Sequence, residues 1–200
     1  MPARRATRLG IFGGTFDPPH IGHLAAAVEV RAELGLDQVW MVVANEPWQK
    51  VDDRSVSPPA DRFALVEAAV AGIDGLVASA IEIERGGPSY TIDTVDQIER
   101  EAPGVEVVVV LGADAARGLP TWHRADELRQ RAMFVVVGRP GLAAAATPAG
   151  WRCRQVEVPR LDVSSSDLRQ RVADGRPVDV LIPAGAIAGI RERRLYGWPG

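Results

Sequence analysis

The chain has 200 residues, of which 46% are hydrophobic and 24% are charged, with a formal net charge of −3. This hydrophobic content excludes wholesale disorder and is enough for one packed domain. The small negative charge offers no global attraction to nucleic acid or to an anionic membrane, and no apolar run approaches the ~18 residues that span a bilayer. Cys153 is the only cysteine, which excludes an intramolecular disulfide and favours a cytoplasmic location.

Short apolar runs alternate with longer amphipathic segments along the chain. The predicted strands are Leu9–Phe12, Gln38–Val43, Leu76–Ile83, Val105–Leu111, Met133–Val137 and Gln155–Val158. The predicted helices are His23–Leu34, Ala60–Ala71, Tyr90–Arg100, Arg124–Arg131, Ser165–Ala173 and Pro183–Arg194, with Thr91 as an N-cap and Pro183 in a first turn. Several strands are continuous apolar runs, which is typical of strands covered on both faces.

This alternation predicts an α/β fold in which helices cover both faces of a parallel sheet. We expect a single domain, with a nucleotide-binding core at about 8–160 and a C-terminal helical part at about 161–200. Two segments are predicted loops, Asn45–Ala60 and Arg139–Gly150. The first is long enough to form a mobile lid.

A glycine-rich turn follows the first predicted strand and leads into the first predicted helix. Gly13 and Gly14 let the backbone approach a ligand, and His20 and His23 share one helical face. The helix start adds unpaired N–H groups and a positive dipole end, so the segment predicts a phosphate site. The dinucleotide and P-loop glycine patterns are both missing. Zinc would need further ligands, and outside the carboxylates only two other side chains of the right type remain, those of His123 and Cys153.

Three later segments have ordinary interpretations when read from the residues alone. Ser165 and Ser166 followed by Arg169 can be a serine cap with a solvated arginine, although hydroxyls and a guanidinium can also bind an anion. Lys50 can be a solvated loop lysine. Trp122 can serve packing alone, or it can stack on a flat ring.

Gly13 to His23, read Gly-Gly-Thr-Phe-Asp-Pro-Pro-His-Ile-Gly-His, resembles the signature of the adenylyltransferases of the nucleotidyltransferase superfamily. In particular it is similar to that of the bacterial nicotinate-nucleotide adenylyltransferases, and later motifs recur in the same order over nearly the whole chain. The resemblance implies a Rossmann-like fold in which His20 and His23 hold the ATP phosphates. It also implies that the backbone at Gly13, Gly14, Thr15 and Phe16 borders the nucleotide.

The same resemblance assigns further residues to the phosphates. Ser165, Ser166 and Arg169 would bind the triphosphate, although Val163, Ser166 and Leu168 replace the Ile, Thr and Ile that the family carries there. Lys50 would approach the substrate phosphates, with Gln49 standing where the family commonly has histidine.

For the acceptor, the resemblance implies a pyridine pocket. Tyr90 and Trp122 would surround a nicotinate ring, and the backbone N–H groups of Thr91 and His123 would take its carboxylate. Gly112 and Asp114 match a Gly-x-Asp pattern that borders the nucleotide. Ala125 stands where a second aromatic residue is common.

The implied reaction is transfer of AMP from ATP to nicotinate mononucleotide, giving nicotinate adenine dinucleotide and pyrophosphate in NAD biosynthesis. The expected partners are these small molecules, with Mg²⁺ bound mainly through the ATP phosphates, no resident metal site, and no nucleic acid or membrane. The alternatives are a nicotinamide-mononucleotide or phosphopantetheine adenylyltransferase, or a nucleotide sensor without catalysis. The sequence leaves the oligomeric state open, a homo-oligomer included.

Overall fold

A single parallel sheet forms the centre of the molecule. The computed structural model describes residues 8–47, 56–138 and 147–199. Its strands are β1 (Arg8–Gly14), β2 (Gln38–Val43), β3 (Leu76–Ser79), β4 (Glu106–Gly112), β5 (Met133–Gly138) and β6 (Cys153–Glu157). They lie in the order β3-β2-β1-β4-β5-β6, and every neighbouring pair is parallel. The order changes direction between β1 and β4, which opens a ligand crevice at the carboxyl ends of these two strands.

Helices occupy the connections between strands and the C-terminal part. They are α1 (Ile21–Leu34), α2 (Pro59–Val70), α3 (Ile81–Arg85), α4 (Thr91–Glu101), α5 (Ala113–Arg117), α6 (Ala125–Arg131), α7 (Ser165–Ala173) and α8 (Ala184–Glu192). Two short 3₁₀ turns lie at Leu119–Thr121 and Leu195–Gly197. None of the helices in the described ranges is long and apolar enough to cross a membrane.

Hydrophobic side chains are buried on both faces of the sheet. Along β4, Val107 and Val109 belong to one core cluster, whereas Val108 and Val110 belong to the cluster on the opposite face. Successive side chains of a strand point to opposite faces, so a continuous apolar run fills both cores. The predicted parallel sheet flanked on both sides is confirmed.

The C-terminal helices build a third cluster against α2. Leu65 of α2 packs there with Leu168 of α7 and Ile187 of α8. Two glycines allow α8 to approach α2 closely: a Cβ atom at Gly185 would lie 2.7 Å from the Ala68 carbonyl oxygen, and one at Gly189 would lie 2.8 Å from a methyl carbon of Leu65. This packing brings α7 beside the turn that follows β1.

Three local predictions were wrong. The predicted strand Leu76–Ile83 ends at Ser79, and α3 begins at Ile81, because an apolar run does not by itself distinguish a strand from a helix. Tyr90, not Thr91, is the N-cap of α4, since the Tyr90 carbonyl accepts the first helical hydrogen bonds. Pro183 is the N-cap of α8 and precedes its first turn.

Candidate active site

The turn after β1 is shaped by a phenylalanine in an unusual conformation. Phe16 has φ of 50°, in the left-handed region, and is 2% exposed. Its ring covers Gly14 so closely that a Cβ atom there would lie 2.7 Å from the ring. Gly14 therefore makes room for the Phe16 ring, and its predicted role in letting the backbone approach a ligand stays a prediction. Phe16 itself contributes packing to the site through its ring.

The two histidines of the motif stack on each other at the start of α1. The ring centroids of His20 and His23 are 3.7 Å apart with an interplanar angle of 23°. The His20 backbone N–H donates to Nδ1 of His23 at 3.3 Å, and the Phe16 ring meets the His23 ring edge-on at 5.0 Å. A Cβ atom at Gly22 would lie 3.1 Å from the His20 ring, so the small residue between the histidines makes room for the stack.

The N–H groups at this helix start are largely engaged within the protein. The Ile21 N–H donates to the Leu181 carbonyl at 3.0 Å, and the His23 N–H donates to the His20 carbonyl at 2.9 Å. The expectation of unpaired N–H groups here is therefore wrong for these residues. The helix start also presents its dipole end and the imidazoles to an anion.

His20 is a neutral imidazole in the free protein. Its side chain is buried, with the residue 7% exposed, and burial lowers its pKa from 6.5 to about 4. At neutral pH it therefore offers one N–H donor and no positive charge. Within the described residues its Nδ1 is buried without a hydrogen-bond partner.

Helix α7 contributes its first turn to the same place. Ser164 caps the helix by accepting from the Asp167 N–H at 3.1 Å. Ser165 Oγ donates to the Pro18 carbonyl at 2.9 Å, and Arg169 donates to the Asp17 carbonyl at 2.6 Å and to Ser166 Oγ at 3.0 Å. The structure thus brings together the histidine turn and the serine–arginine segment, as the sequence predicted.

A cavity of about 200 Å³ opens beside the turn that follows β1. It lies at the carboxyl ends of β1 and β4, where the strand order reverses. Eight of the predicted site residues line it: Gly13, Gly14, Thr15, Tyr90, Thr91, Gly112, Trp122 and His123. The rings of Tyr90 and His123 stack with centroids 4.3 Å apart and an interplanar angle of 27°. The cavity therefore combines glycine backbone with aromatic walls.

Of the other predicted site residues, Phe16, His20, His23, Ser165, Ser166 and Arg169 belong to the turn after β1 and to α7 and do not line the cavity, Asp114 lies apart from both, and Lys50 is not described. The Asp114 side chain is 94% exposed and pairs with Arg117, and it does not line the cavity, although its neighbour Gly112 does. Lys50 lies outside the described residues, as does Gln49 beside it. Their roles stay predictions.

The sequence interpretation missed a buried arginine behind the turn. Arg62 of α2 is 1% exposed and donates to three carbonyls, those of Ser57 at 2.8 Å, Thr15 at 2.9 Å and Asn45 at 3.2 Å. It ties the turn after β1 to the segment after β2. An arginine inside a predicted amphipathic helix gave no signal of this role.

A buried carboxylate on the cavity wall was missed as well. Glu82 of α3 is 7% exposed and lines the cavity, and its Oε1 accepts from the Thr94 hydroxyl at 2.7 Å. Arg85 donates to the same hydroxyl at 3.2 Å. Glu82 was predicted to lie in a strand, so its contact with Thr94 from a helix was not expected. Among the described residues, no group of three or more His, Cys, Asp or Glu side chains could hold a metal ion.

The chain is similar to a known protein family and to proteins that share one name. A family model described as cytidylyltransferase-like matches residues 11–171. A Saccharopolyspora erythraea protein named "Probable nicotinate-nucleotide adenylyltransferase" is 43% identical over 194 residues, covering 96% of this chain and 91% of that protein. A Frankia alni protein of the same name is 46% identical over 187 residues, covering 92% of this chain and 97% of that protein.

Solved structures share the fold. The Plasmodium falciparum nicotinic acid mononucleotide adenylyltransferase complexed with NaAD aligns with a TM-score of 0.77 at 17% identity, covering 96% of this chain and 98% of that chain. At this identity the likeness concerns the fold alone, with its six parallel strands and flanking helices.

Proposed function

Because the chain belongs to the cytidylyltransferase-like family, among the nicotinate-nucleotide adenylyltransferases, we propose that it transfers AMP from ATP to nicotinate mononucleotide. The products are nicotinate adenine dinucleotide and pyrophosphate. The observation that carries this proposal is the convergence of the stacked histidines and the first turn of α7 beside an aromatic-walled cavity. Anion-binding groups thus lie next to a pocket suited to a flat ring.

The chemistry requires alignment and charge stabilisation, with no side-chain nucleophile. A phosphate oxygen of the acceptor attacks the α-phosphorus of ATP in line, and the bond from that phosphorus to the β-phosphate bridging oxygen breaks, so that pyrophosphate leaves with both electrons. The protein must stabilise the negative charge that builds on the transferring and leaving groups. Donors that are already in place are the most effective means.

The phosphate side of the site supplies two kinds of donor. His20 and His23 offer imidazole nitrogens at the positive end of the α1 dipole. Arg169, whose guanidinium is already held by Asp17 and Ser166, offers a permanent cation. His20 would act as a neutral donor, because burial lowers its pKa to about 4.

The acceptor side of the site is the aromatic end of the cavity. Trp122 and Tyr90 offer flat surfaces to a pyridine ring, and the backbone N–H groups of Thr91 and His123 would take its carboxylate. Glu82 lines the same cavity, so a carboxylate on the ring would need these N–H donors to offset the nearby carboxyl group.

Several finer points remain predictions. Mg²⁺ would enter with ATP, held mainly by the phosphates, where it would neutralise charge on the leaving pyrophosphate. Contacts from Lys50 and Asp114, a cytoplasmic location and the division at about residue 160 are predictions too, and the oligomeric state stays open.

The test is pyrophosphate release measured by a coupled assay with ATP and nicotinate mononucleotide, together with identification of the dinucleotide product. We expect release that requires both substrates. Binding of ATP without release, whatever the acceptor, would contradict the proposal and indicate a nucleotide sensor.

A further inference from the structure

Asp17 lies at the junction between the phosphate-binding turn and the C-terminal part. It is 2% exposed. Its Oδ1 accepts from the Tyr196 hydroxyl at 2.7 Å, its Oδ2 accepts from the Ser57 N–H at 3.3 Å, and its carbonyl accepts from Arg169 at 2.6 Å. Residues from α7 and from the final 3₁₀ turn therefore hold both the backbone and the side chain of Asp17. A buried carboxylate is tolerated only when such partners are present.

Tyr196 is built to donate this hydrogen bond. Burial and the Asp17 carboxylate raise the pKa of the Tyr196 hydroxyl, so it stays protonated at neutral pH. Its backbone has φ of 58° and ψ of 26°, a left-handed conformation that is unfavourable for a residue other than glycine. The side-chain contacts of the 3₁₀ turn must offset that cost.

Two cationic side chains, those of Arg62 and Arg169, also lie near Asp17. The Arg62 guanidinium interacts electrostatically with Asp17, but it donates its hydrogen bonds to three loop carbonyls. Arg169 donates to the Asp17 backbone. The Tyr196 hydroxyl donates directly to the Asp17 carboxylate.

We infer that Tyr196 is a positioning residue, which acts through Asp17 to set the phosphate-binding turn and the arginine of α7. Loss of the hydroxyl would remove the hydrogen bond that Oδ1 accepts from Tyr196, and Asp17 would move to replace it. Pro18 and Pro19, with their restricted φ angles, connect Asp17 directly to His20, so that movement would reach the stacked histidines. Arg169 would move too, because its partner is the Asp17 carbonyl. The inference rests on the proposed function for the identity of the ligand.

The test compares Tyr196→Phe with Trp198→Phe. Trp198 is in the same C-terminal segment, where its ring packs under the Arg191 guanidinium at 4.8 Å, so its substitution is a matched aromatic control. For Tyr196→Phe we expect kcat and the affinity for a non-hydrolysable ATP analogue each to fall about tenfold, with the KM for the acceptor within twofold of wild type. Trp198→Phe should leave all three values within twofold.

A double-mutant cycle asks whether the effect passes through Asp17. In an Asp17→Ala background, Tyr196→Phe should have no further effect beyond twofold. Unchanged analogue affinity in Tyr196→Phe, equal losses on the ATP and acceptor sides, or an undiminished effect in the Asp17→Ala background would each overturn the inference. Should Asp17→Ala not fold, the single variants still decide it. Analogue binding is measured without turnover, so a wild-type protein that binds ATP but transfers nothing would refute the proposed function separately.

Discussion

Replacing His20 by alanine removes the group that we place closest to the centre of phosphate binding. In the free protein its imidazole is neutral, with a pKa of about 4, so the variant loses a hydrogen-bond donor but no standing charge. Removal of one preorganised donor to developing negative charge typically costs ~3–4 kcal/mol in the barrier. We therefore expect kcat of His20→Ala to fall roughly a hundredfold to a thousandfold.

The structure also predicts that this variant folds. The ring is buried against His23, and its loss removes apolar contact worth about 1–2 kcal/mol. It also removes a buried nitrogen that has no hydrogen-bond partner among the described residues, and this raises the free energy of unfolding by about the same amount. The free energy of unfolding should thus change by less than about 1 kcal/mol.

The assay is steady-state pyrophosphate release together with urea unfolding of each variant. His20→Gln is the matched control, because its side-chain amide restores an N–H donor at similar reach, and we expect it to recover part of the lost kcat. A His20→Ala protein with kcat within threefold of wild type would contradict a role for His20 in stabilising the transition state. So would a fall in kcat that merely follows the loss of folded protein.

Three further outcomes follow from the same geometry. Arg62→Met should lower the free energy of unfolding by about 3 kcal/mol, because three loop carbonyls lose their donor, and an unchanged urea midpoint would contradict this. The His20 pKa is about 4 in the folded protein against 6.5 ordinarily, so the unfolded chain binds more protons between these values. Stability should therefore fall by about 3 kcal/mol as pH drops from about 6.5 to 4, and His20→Ala should lack that component in urea titrations at several pH values. Trp122→Ala should raise the acceptor KM about tenfold and leave the ATP KM unchanged; equal rises in both would show that the ring serves general packing.

The fold was predictable because its sheet is buried on both faces. Continuous apolar runs such as the one in β4 identify strands of this kind, and their alternation with amphipathic segments indicates parallel connections. The turn from Gly13 to His23 was predictable for another reason: its residue types have few alternative uses in that spacing. The predicted strand was extended past Ser79 because α3 mixes apolar and charged residues. A segment this short does not distinguish a helix from a strand.

The hidden parts of the site depend on contacts between residues far apart in the chain. Tyr196 meets Asp17 across 179 positions, and Arg62 meets Thr15 across 47. Neither contact has a local sequence pattern, since the first forms only when the final 3₁₀ turn packs beside the turn after β1, and the second only when α2 does. The neutrality of His20 is likewise a consequence of burial, which the motif alone does not report.

The most direct test of the central claim is a comparison of acceptors at fixed ATP. The second-order rate constant kcat/KM for pyrophosphate release is measured with nicotinate mononucleotide, nicotinamide mononucleotide and phosphopantetheine. We expect the highest value for nicotinate mononucleotide, with nicotinate adenine dinucleotide as the product. A higher value for either of the others, or no release with any of them, would contradict it.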